Sequence, residues 1–397
     1  MKNWIASAGV AVLLVAVPAA AQSVFFGSLH SHTKYSDGSG TPEDAYKAAR
    51  TAGLDFYAVT EHNHADAEPR SGPRRDRILI ATDPTLYRGT PVSLIETADR
   101  LDDPGRFVTL YGQEFSTIKG RGGNHVNVFG VQSVITVEKG RYDRLAAFVN
   151  ANPDPSGLPP LIQMNHPDNP LGRNPNMNDY GRNKFGGQAG WLAAMDPLIE
   201  LIELFSGPTG GGTDNRPSPA EAAYFGYLNL GFHVAPTSGQ DTHLLNWGRA
   251  TVTRTAVITS RLTRADIMSA LRSRHAYATD DRNLSVIFRA NGALQGDIVR
   301  APPAGSQISL TVSIRDDDEP GATYHVDVLS DDRPGGAIAT PVTRREDRFE
   351  IRGNTASPVA LPPVPFRGRG QYILLRISQS EGRSGRGFVW TAPVWFE

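Results

Sequence analysis

Residues 24–33, Val-Phe-Phe-Gly-Ser-Leu-His-Ser-His-Thr, and residues 56–62, Phe-Tyr-Ala-Val-Thr-Glu-His, share one design. Each is a short apolar run that leads into imidazole, and these runs read as strands at 24–29 and 56–60. Between them, Thr41 supplies an N-cap and Pro42 a first-turn proline for a helix over 42–52, which Gly53 ends. Strand, helix, strand is the unit of a mainly parallel sheet or barrel.

Further strand candidates fall at 107–111, 126–131, 161–164, 199–205 and 233–237, with helices at 219–230 and 264–274. The α/β rhythm therefore runs over 22–281. The stretch 167–188, rich in Asn, Gly and Pro, has no period and reads as a long surface loop beside the substrate mouth. Past residue 281 the rhythm changes. Runs at 284–288, 308–314, 324–329, 348–351 and 372–377 alternate apolar and polar residues between Gly, Pro and Asp turns. That pattern predicts an all-β sandwich domain over 282–397. The acidic run 316–319 reads as a solvated turn, with calcium binding the lesser reading.

The 397 residues suit two globular units. Forty Lys plus Arg against 41 Asp plus Glu leave a net charge of −1, so no basic field exists to hold a nucleic-acid polymer. The absence of cysteine removes disulfides, thiolate nucleophiles and Cys-ligated metals together. Residues 1–21 have their own physics: Lys2, an apolar run over 5–17, then Pro18-Ala19-Ala20-Ala21. This reads as a signal peptide cleaved after Ala21, since the run is too short to span a bilayer. The expectation is a periplasmic or secreted protein with no membrane span after cleavage.

Six of the ten histidines sit at strand ends or in loops beside carboxylates. His30 and His32 point to one face of an extended chain, as residues i and i+2 must, and Asp37 follows. His62 ends the second strand, Glu114 follows the third, His125 opens the fourth, and His166 follows the fifth. Asp241 and His243 form another i, i+2 pair after the strand at 233–237. The carboxyl ends of barrel strands converge on one face, so these nine groups would meet at one mouth. Nine donors exceed the needs of one ion and suit two or three divalent ions, with Zn, Mn and Fe equally compatible with mixed imidazole and carboxylate ligands.

At these residues the chain resembles a known family. Leu29-His30-Ser31-His32-Thr33 with Ser36-Asp37-Gly38, Thr60-Glu61-His62, Glu114, His125, Asn165-His166-Pro167 and Gly239-Gln240-Asp241-Thr242-His243 look like the PHP (polymerase and histidinol phosphatase) metallohydrolases. The resemblance covers 24–281 and implies a distorted (β/α)7 barrel with a trinuclear site in which Glu114 bridges two ions. Gly248-Arg249 and the stretch Arg274-His275-Ala276-Tyr277-Ala278-Thr279, followed by a β domain, are similar to an exported branch that includes carbamate-ester hydrolases. Two positions depart from the commonest pattern: Ser28 stands where an acidic residue often precedes the first ligand, and Glu61 replaces Asp before His62.

The implied activity is hydrolysis by a metal-bridging hydroxide, because paired divalent ions lower the pKa of the water between them. A phosphoesterase acting on a phosphodiester or phosphomonoester is the first expectation. A carbamate or carboxylic ester hydrolase with the same site is the alternative, and a non-catalytic binding protein the second. His64 is the candidate proton donor and Arg249 a candidate anion contact; Tyr180, Arg182 and Lys184 could face substrate from the long loop. His275 at a helix end, and His233 and His325 within strands, read as structural.

Overall fold

A computed structural model of the chain describes residues 22–63, 93–116, 125–138, 140–167, 185–207, 211–331, 343–380 and 387–397. The stretch 1–21, read above as a signal peptide, and most of 167–188, read as a loop, lie outside them. The first part of the chain runs β1 (Ser23–Ser28), α1 (Pro42–Thr51), β2 (Phe56–His62), α2 (Leu94–Leu101), β3 (Val108–Phe115) and β4 (Val126–Phe129). It continues through α3 (Tyr142–Ala151), β5 (Leu161–Met164), α4 (Gln188–Met195), β6 (Ile199–Phe205), α5 (Glu221–Leu230) and β7 (Ala235–Ser238). Then come β8 (Arg254–Thr259), α6 (Arg264–Arg272) and β9 (Ala276–Thr279). Helix α1 starts as its sequence dictates: Thr41 Oγ1 accepts the Asp44 N–H at 3.1 Å, and Asp44 Oδ2 accepts the Thr41 N–H at 2.9 Å.

These strands form one sheet in the order β7-β6-β5-β4-β3-β2-β1-β8-β9. Pairs β1–β2, β2–β3, β5–β6 and β6–β7 are parallel, while β4 runs antiparallel to both neighbours. Too few residues join β3 to β4 for the crossover that a parallel pair requires. The expected (β/α)7 barrel is corrected here, because the sheet is not closed. Both edges of β8 are already occupied, by β1 and by β9, so β7 has no ladder left to join. It lies against β8 through side chains instead: Ser238 N donates to Thr255 Oγ1 at 2.8 Å, and Thr255 Oγ1 donates back to Ser238 O at 2.9 Å. Beyond β7 the chain pairs with the segment that follows β1, where Ser31 and Thr242 form a parallel bridge.

The second part contains β10 (Ser285–Ala290), β11 (Ala293–Leu294), β12 (Ile298–Val299), β13 (Gln307–Arg315), β14 (Thr323–Asp331) and β15 (Thr343–Arg352). It ends with β16 (Val359–Pro365), β17 (Gln371–Gln379), β18 (Phe388–Thr391) and β19 (Val394–Phe396). Strands β11-β10-β13-β16 make a separate four-stranded sheet. Strands β14 and β17 face it across a shared core that includes Val286, Phe288, Val312, Val326 and Ile377. The large sheet does not stop at residue 281. Strand β18 pairs antiparallel with β9, and Trp390 and Trp395 join the core formed by β4 to β6 and α3 to α5. Within the acidic run one residue departs from the solvated-turn reading: Asp317 and Asp318 are exposed, but Asp316 is fully buried.

Candidate metal centre

The topology collects the polar side chains at one end of the sheet. His30 and His32 follow β1, His62 ends β2, and Glu114 lies near the end of β3. His125 precedes β4, yet the antiparallel register pairs Phe115 with Val126 and so brings His125 to the same end. His166 follows β5, and Asp241 and His243 follow β7.

The structure brings all nine sequence-derived residues into one connected cluster. Glu114 Oε2 lies 3.3 Å from His30 Nε2, 3.1 Å from His32 Nε2 and 3.2 Å from His62 Nδ1. Glu114 Oε1 lies 3.0 Å from His125 Nδ1 and 3.2 Å from His166 Nε2. Asp241 Oδ1 is 3.3 Å from His30 Nε2 and 3.2 Å from His32 Nε2. Asp37 Oδ1 is 3.0 Å from His243 Nε2 and 3.9 Å from both His32 and His62. Three groups have mutually close donor atoms: His30, His32, Glu114 and Asp241; His32, Asp37, His62 and His243; and His62, Glu114 and His125.

This donor set fits divalent ions. Glu114 Oε2 and His62 Nδ1 are buried and have no hydrogen-bond partner among the described residues, although they lie 3.2 Å apart. Donor separations of 3.1–3.3 Å in the first group match the edge of a tetrahedron with bonds of about 2.0 Å. Without an ion the cluster is electrostatically divided. Burial opposes charge on His32, but Asp241 and Glu114 outweigh it and raise its pKa to about 10. Burial dominates at His62, aided by the neighbouring His32 and His125, and lowers its pKa to about 3.

A supporting layer fixes the ligands. Glu203, fully buried in β6, accepts His30 Nδ1 at 2.8 Å and the His166 backbone N–H at 2.8 Å. That bond leaves His30 Nε2 facing the cluster. Asn165 Nδ2 donates to Glu114 Oε1 at 3.0 Å. Glu61 accepts the Thr33 N–H at 2.9 Å and the hydroxyls of Thr33 and Ser36, which ties down the turn that carries Asp37. Ser28 Oγ accepts the Gln240 N–H at 3.2 Å, holding the loop that carries Asp241. Both departures from the family pattern are thus used to brace ligand loops.

The backbone is strained at two of the ligand candidates. His166 has φ 29° and Asp241 φ 42°, a region that non-glycine residues avoid, and such strain collects at functional sites. Gly239 is required for contact reasons, since a Cβ there would sit 1.8 Å from Glu203 Oε1 and 2.6 Å from His30 Cβ.

Sequence reasoning missed Glu203 and Asn165 as supports. The signal for Glu203 was present, a carboxylate inside the apolar strand Ile-Glu-Leu-Ile-Glu-Leu-Phe. Arg249 is exposed on the segment after His243, where its backbone bonds Asp214 and Asn246. His64, Tyr180, Arg182 and Lys184 lie outside the described residues. His275 pairs with Asp297 at 2.8 Å and His233 with Asp196 at 2.9 Å, as structural histidines do.

No family model matches the chain, and no curated protein matches it. Among solved structures, it is similar to a two-domain protein from Bacteroides vulgatus that contains a predicted PHP-like metal-dependent phosphoesterase. That match has 14% identity and a TM-score of 0.45, and covers 94% of this chain and 96% of the other. An amidohydrolase from Chromobacterium violaceum with bound sulfate is similar at 15% identity and a TM-score of 0.31, over 62% of this chain and 96% of that one. At such identities and TM-scores the likeness carries no argument about this chain, and its chemistry has to be read from its own side chains.

Proposed function

We propose that the chain is a metal-dependent hydrolase of PHP type whose substrates are small phosphoesters. The observation that carries this reading is the convergence of six imidazoles and three carboxylates on shared points, with Glu114 touching five of the six rings. When bound, divalent ions supply Lewis acidity and lower the pKa of water. Zn, Mn and Fe all suit the ligands, and two or three ions suit their number.

The protein's own part is to hold, orient and expose. His30, His32 and Glu114 form the buried floor, while His166, His243 and Asp37 have side chains 20, 17 and 29% exposed and so face the solvent side. Substrate enters from that side. The phosphoryl or acyl centre meets a rigid floor, because Glu203 fixes the His30 tautomer and Glu61 fixes the Thr33–Ser36 turn. Preorganised ligands of this kind pay no reorganisation cost as charge develops. His64 is the proton donor to the leaving group in this reading, and Arg249 an anion contact.

Export is part of the proposal and rests on residues 1–21; N-terminal sequencing of the mature protein checks it. Among the described residues, no helix is long and apolar enough to cross a membrane. The functional test is metal content by elemental analysis with activity on bis-p-nitrophenyl phosphate, p-nitrophenyl phosphate and a naphthyl carbamate. Metal-dependent turnover of a phosphoester supports the reading. Turnover of the carbamate alone replaces the substrate class, and full activity after complete chelation removes the metallohydrolase reading.

A further inference from the structure

A second set of acidic side chains lies where the two β layers meet. Asp281 follows β9, Asp316 and Glu319 follow β13, and one carboxylate oxygen from each lies within 4.8 Å of the others. Asp316 is fully buried and Asp281 is 8% exposed. Backbone N–H groups hold one oxygen of each: Asn283 and Leu284 donate to Asp281 Oδ1 at 2.9 and 3.0 Å, and Asp318 and Glu319 to Asp316 Oδ1 at 3.1 and 3.0 Å. Those bonds order the carboxylates without neutralising them. Arg216 and Arg282, which share the adjoining cavity, are engaged with Asp280 and Asp214.

An independent feature points to a ligand. Gln379, at the end of β17, is 2% exposed, and its Oε1 has no hydrogen-bond partner among the described residues. The other atom of the same amide, Nε2, donates to Glu319, so the side chain reaches into the acidic group. Oε1 lies beside Gly387, where a Cβ would stand 2.6 Å from it and 3.5 Å from Asp281 Oδ2. A glycine keeps that space open. An unsatisfied buried carbonyl costs free energy unless something accepts its lone pairs.

We propose that Asp281, Asp316, Glu319 and Gln379 Oε1 hold a divalent cation of the calcium class. Four oxygens and no nitrogen make a hard-cation site, unlike the imidazole cluster, and waters complete the shell. The cavity of about 560 Å³ lined in part by Asp281 and Glu319 gives the ion a route from solvent. Its ligands come from the β9–β10 turn, the small sheet and β17, so the ion pins the first part of the chain to both layers of the second. This inference is independent of the hydrolase reading.

The test follows thermal midpoints of chelator-treated, dialysed protein with calcium added at about 1 mM. Calcium should raise the midpoint of wild type by about 3 °C. Asp241→Asn, in the imidazole cluster, should keep that shift, and Asp281→Asn and Glu319→Gln should lose it. Tyr324 OH lies 3.5 Å from Asp316 Oδ2 and should sensitise terbium luminescence that calcium quenches. Tyr324→Phe should lose the luminescence and retain the calcium shift. No calcium shift in wild type, or an equal shift in Glu319→Gln, overturns the proposal; Glu319→Gln decides if Asp281→Asn does not fold.

Discussion

Two buried carboxylates, Glu114 and Asp327, face one physical problem and answer it with different chemistry. Each is nearly inaccessible, and an unpaired charge there would cost several kcal/mol. Asp327 in β14 is met by guanidinium groups: Arg348 Nε at 2.6 Å, Arg376 Nη2 at 2.9 Å and Arg345 at 3.8 Å. Their charge is permanent, so the centre is complete as folded. Glu114 has no permanent cation beside it: besides the neutral Asn165 amide it meets imidazoles, which offer charge only when protonated and lone pairs when they are not. Fixed cations build a joint, whereas titratable rings can exchange a proton for a metal ion. Permanent partners complete a carboxylate as part of the fold, whereas titratable ones suit it to the proposed chemistry.

The sharpest way to break this contrast is to remove each acid. Glu114→Ala deletes the atom pair that touches five histidines, and activity and bound metal should fall together by well over about a hundredfold. Elemental analysis and phosphoester turnover measure it, and a variant with wild-type metal content would end the assignment of Glu114 as a ligand. Glu203→Gln is the subtler probe of the same centre, since it keeps shape and removes charge behind His30. Metal affinity should drop about tenfold to a hundredfold in a chelator competition. An unchanged affinity would reduce Glu203 to packing.

Asp327→Ala should do the opposite, lowering stability by about 2 kcal/mol while metal content and activity per folded molecule stay unchanged. The figure is below that for a fully buried pair because the Arg348 side chain is half exposed and can turn to water. Denaturant titration supplies the number. Loss of metal in this variant would show that the two centres are coupled through the large sheet.

Much of the site was readable because its ligands are marked locally. His-x-His, Glu-His and Asp-x-His stand at the ends of runs that read as strands, and the carboxyl ends of such strands share a face. What escaped depends on distant partners. Asp316 reads as a solvated turn until Asp281 and Asn354, 38 residues on, are seen beside it. Strand β16, Val-Ala-Leu-Pro-Pro-Val-Pro, gives no strand signal because of its prolines, which an edge position beside β13 tolerates. The open sheet was equally hidden: nothing in residues 254–259 announces that β8 pairs on both edges before β7 can reach it. The five strand candidates of the second part were legible by alternation, as in the burial pattern of β13, where in and out positions exchange at nearly every residue.

Acidification should separate the two centres in time. Protons compete with metal for imidazole as pH falls toward about 6.5, so activity and bound ions should go first. Burial favours the neutral form of Asp327, but Arg348 and Arg376 outweigh it and hold its pKa below the ordinary 3.8. A depressed acid stabilises above its unfolded pKa, and that contribution is lost as pH falls through the folded value. The joint should therefore persist to below about pH 4, leaving a window in which the protein is folded, metal-free and inactive. Circular dichroism beside metal release would expose the window, and coincident transitions would erase the distinction between the two carboxylates.

The smallest effect is assigned to His275, which lies just beyond α6 and outside the cluster. Its Nε2 meets Asp297 Oδ1 at 2.8 Å, with side chains 23 and 35% exposed. Partly solvated pairs are worth little, because water competes for both charges and two side chains must be held in one geometry. His275→Ala should cost about 0.5 kcal/mol and leave metal content and turnover at the wild-type level. That makes it the control for every histidine in the cluster: same residue type, same chain, a carboxylate neighbour, but a single one instead of several converging atoms. If His275→Ala abolished activity while the fold and the bound metal survived, proximity to shared carboxylates would no longer distinguish functional imidazoles from structural ones, and the Glu114 argument would lose its footing.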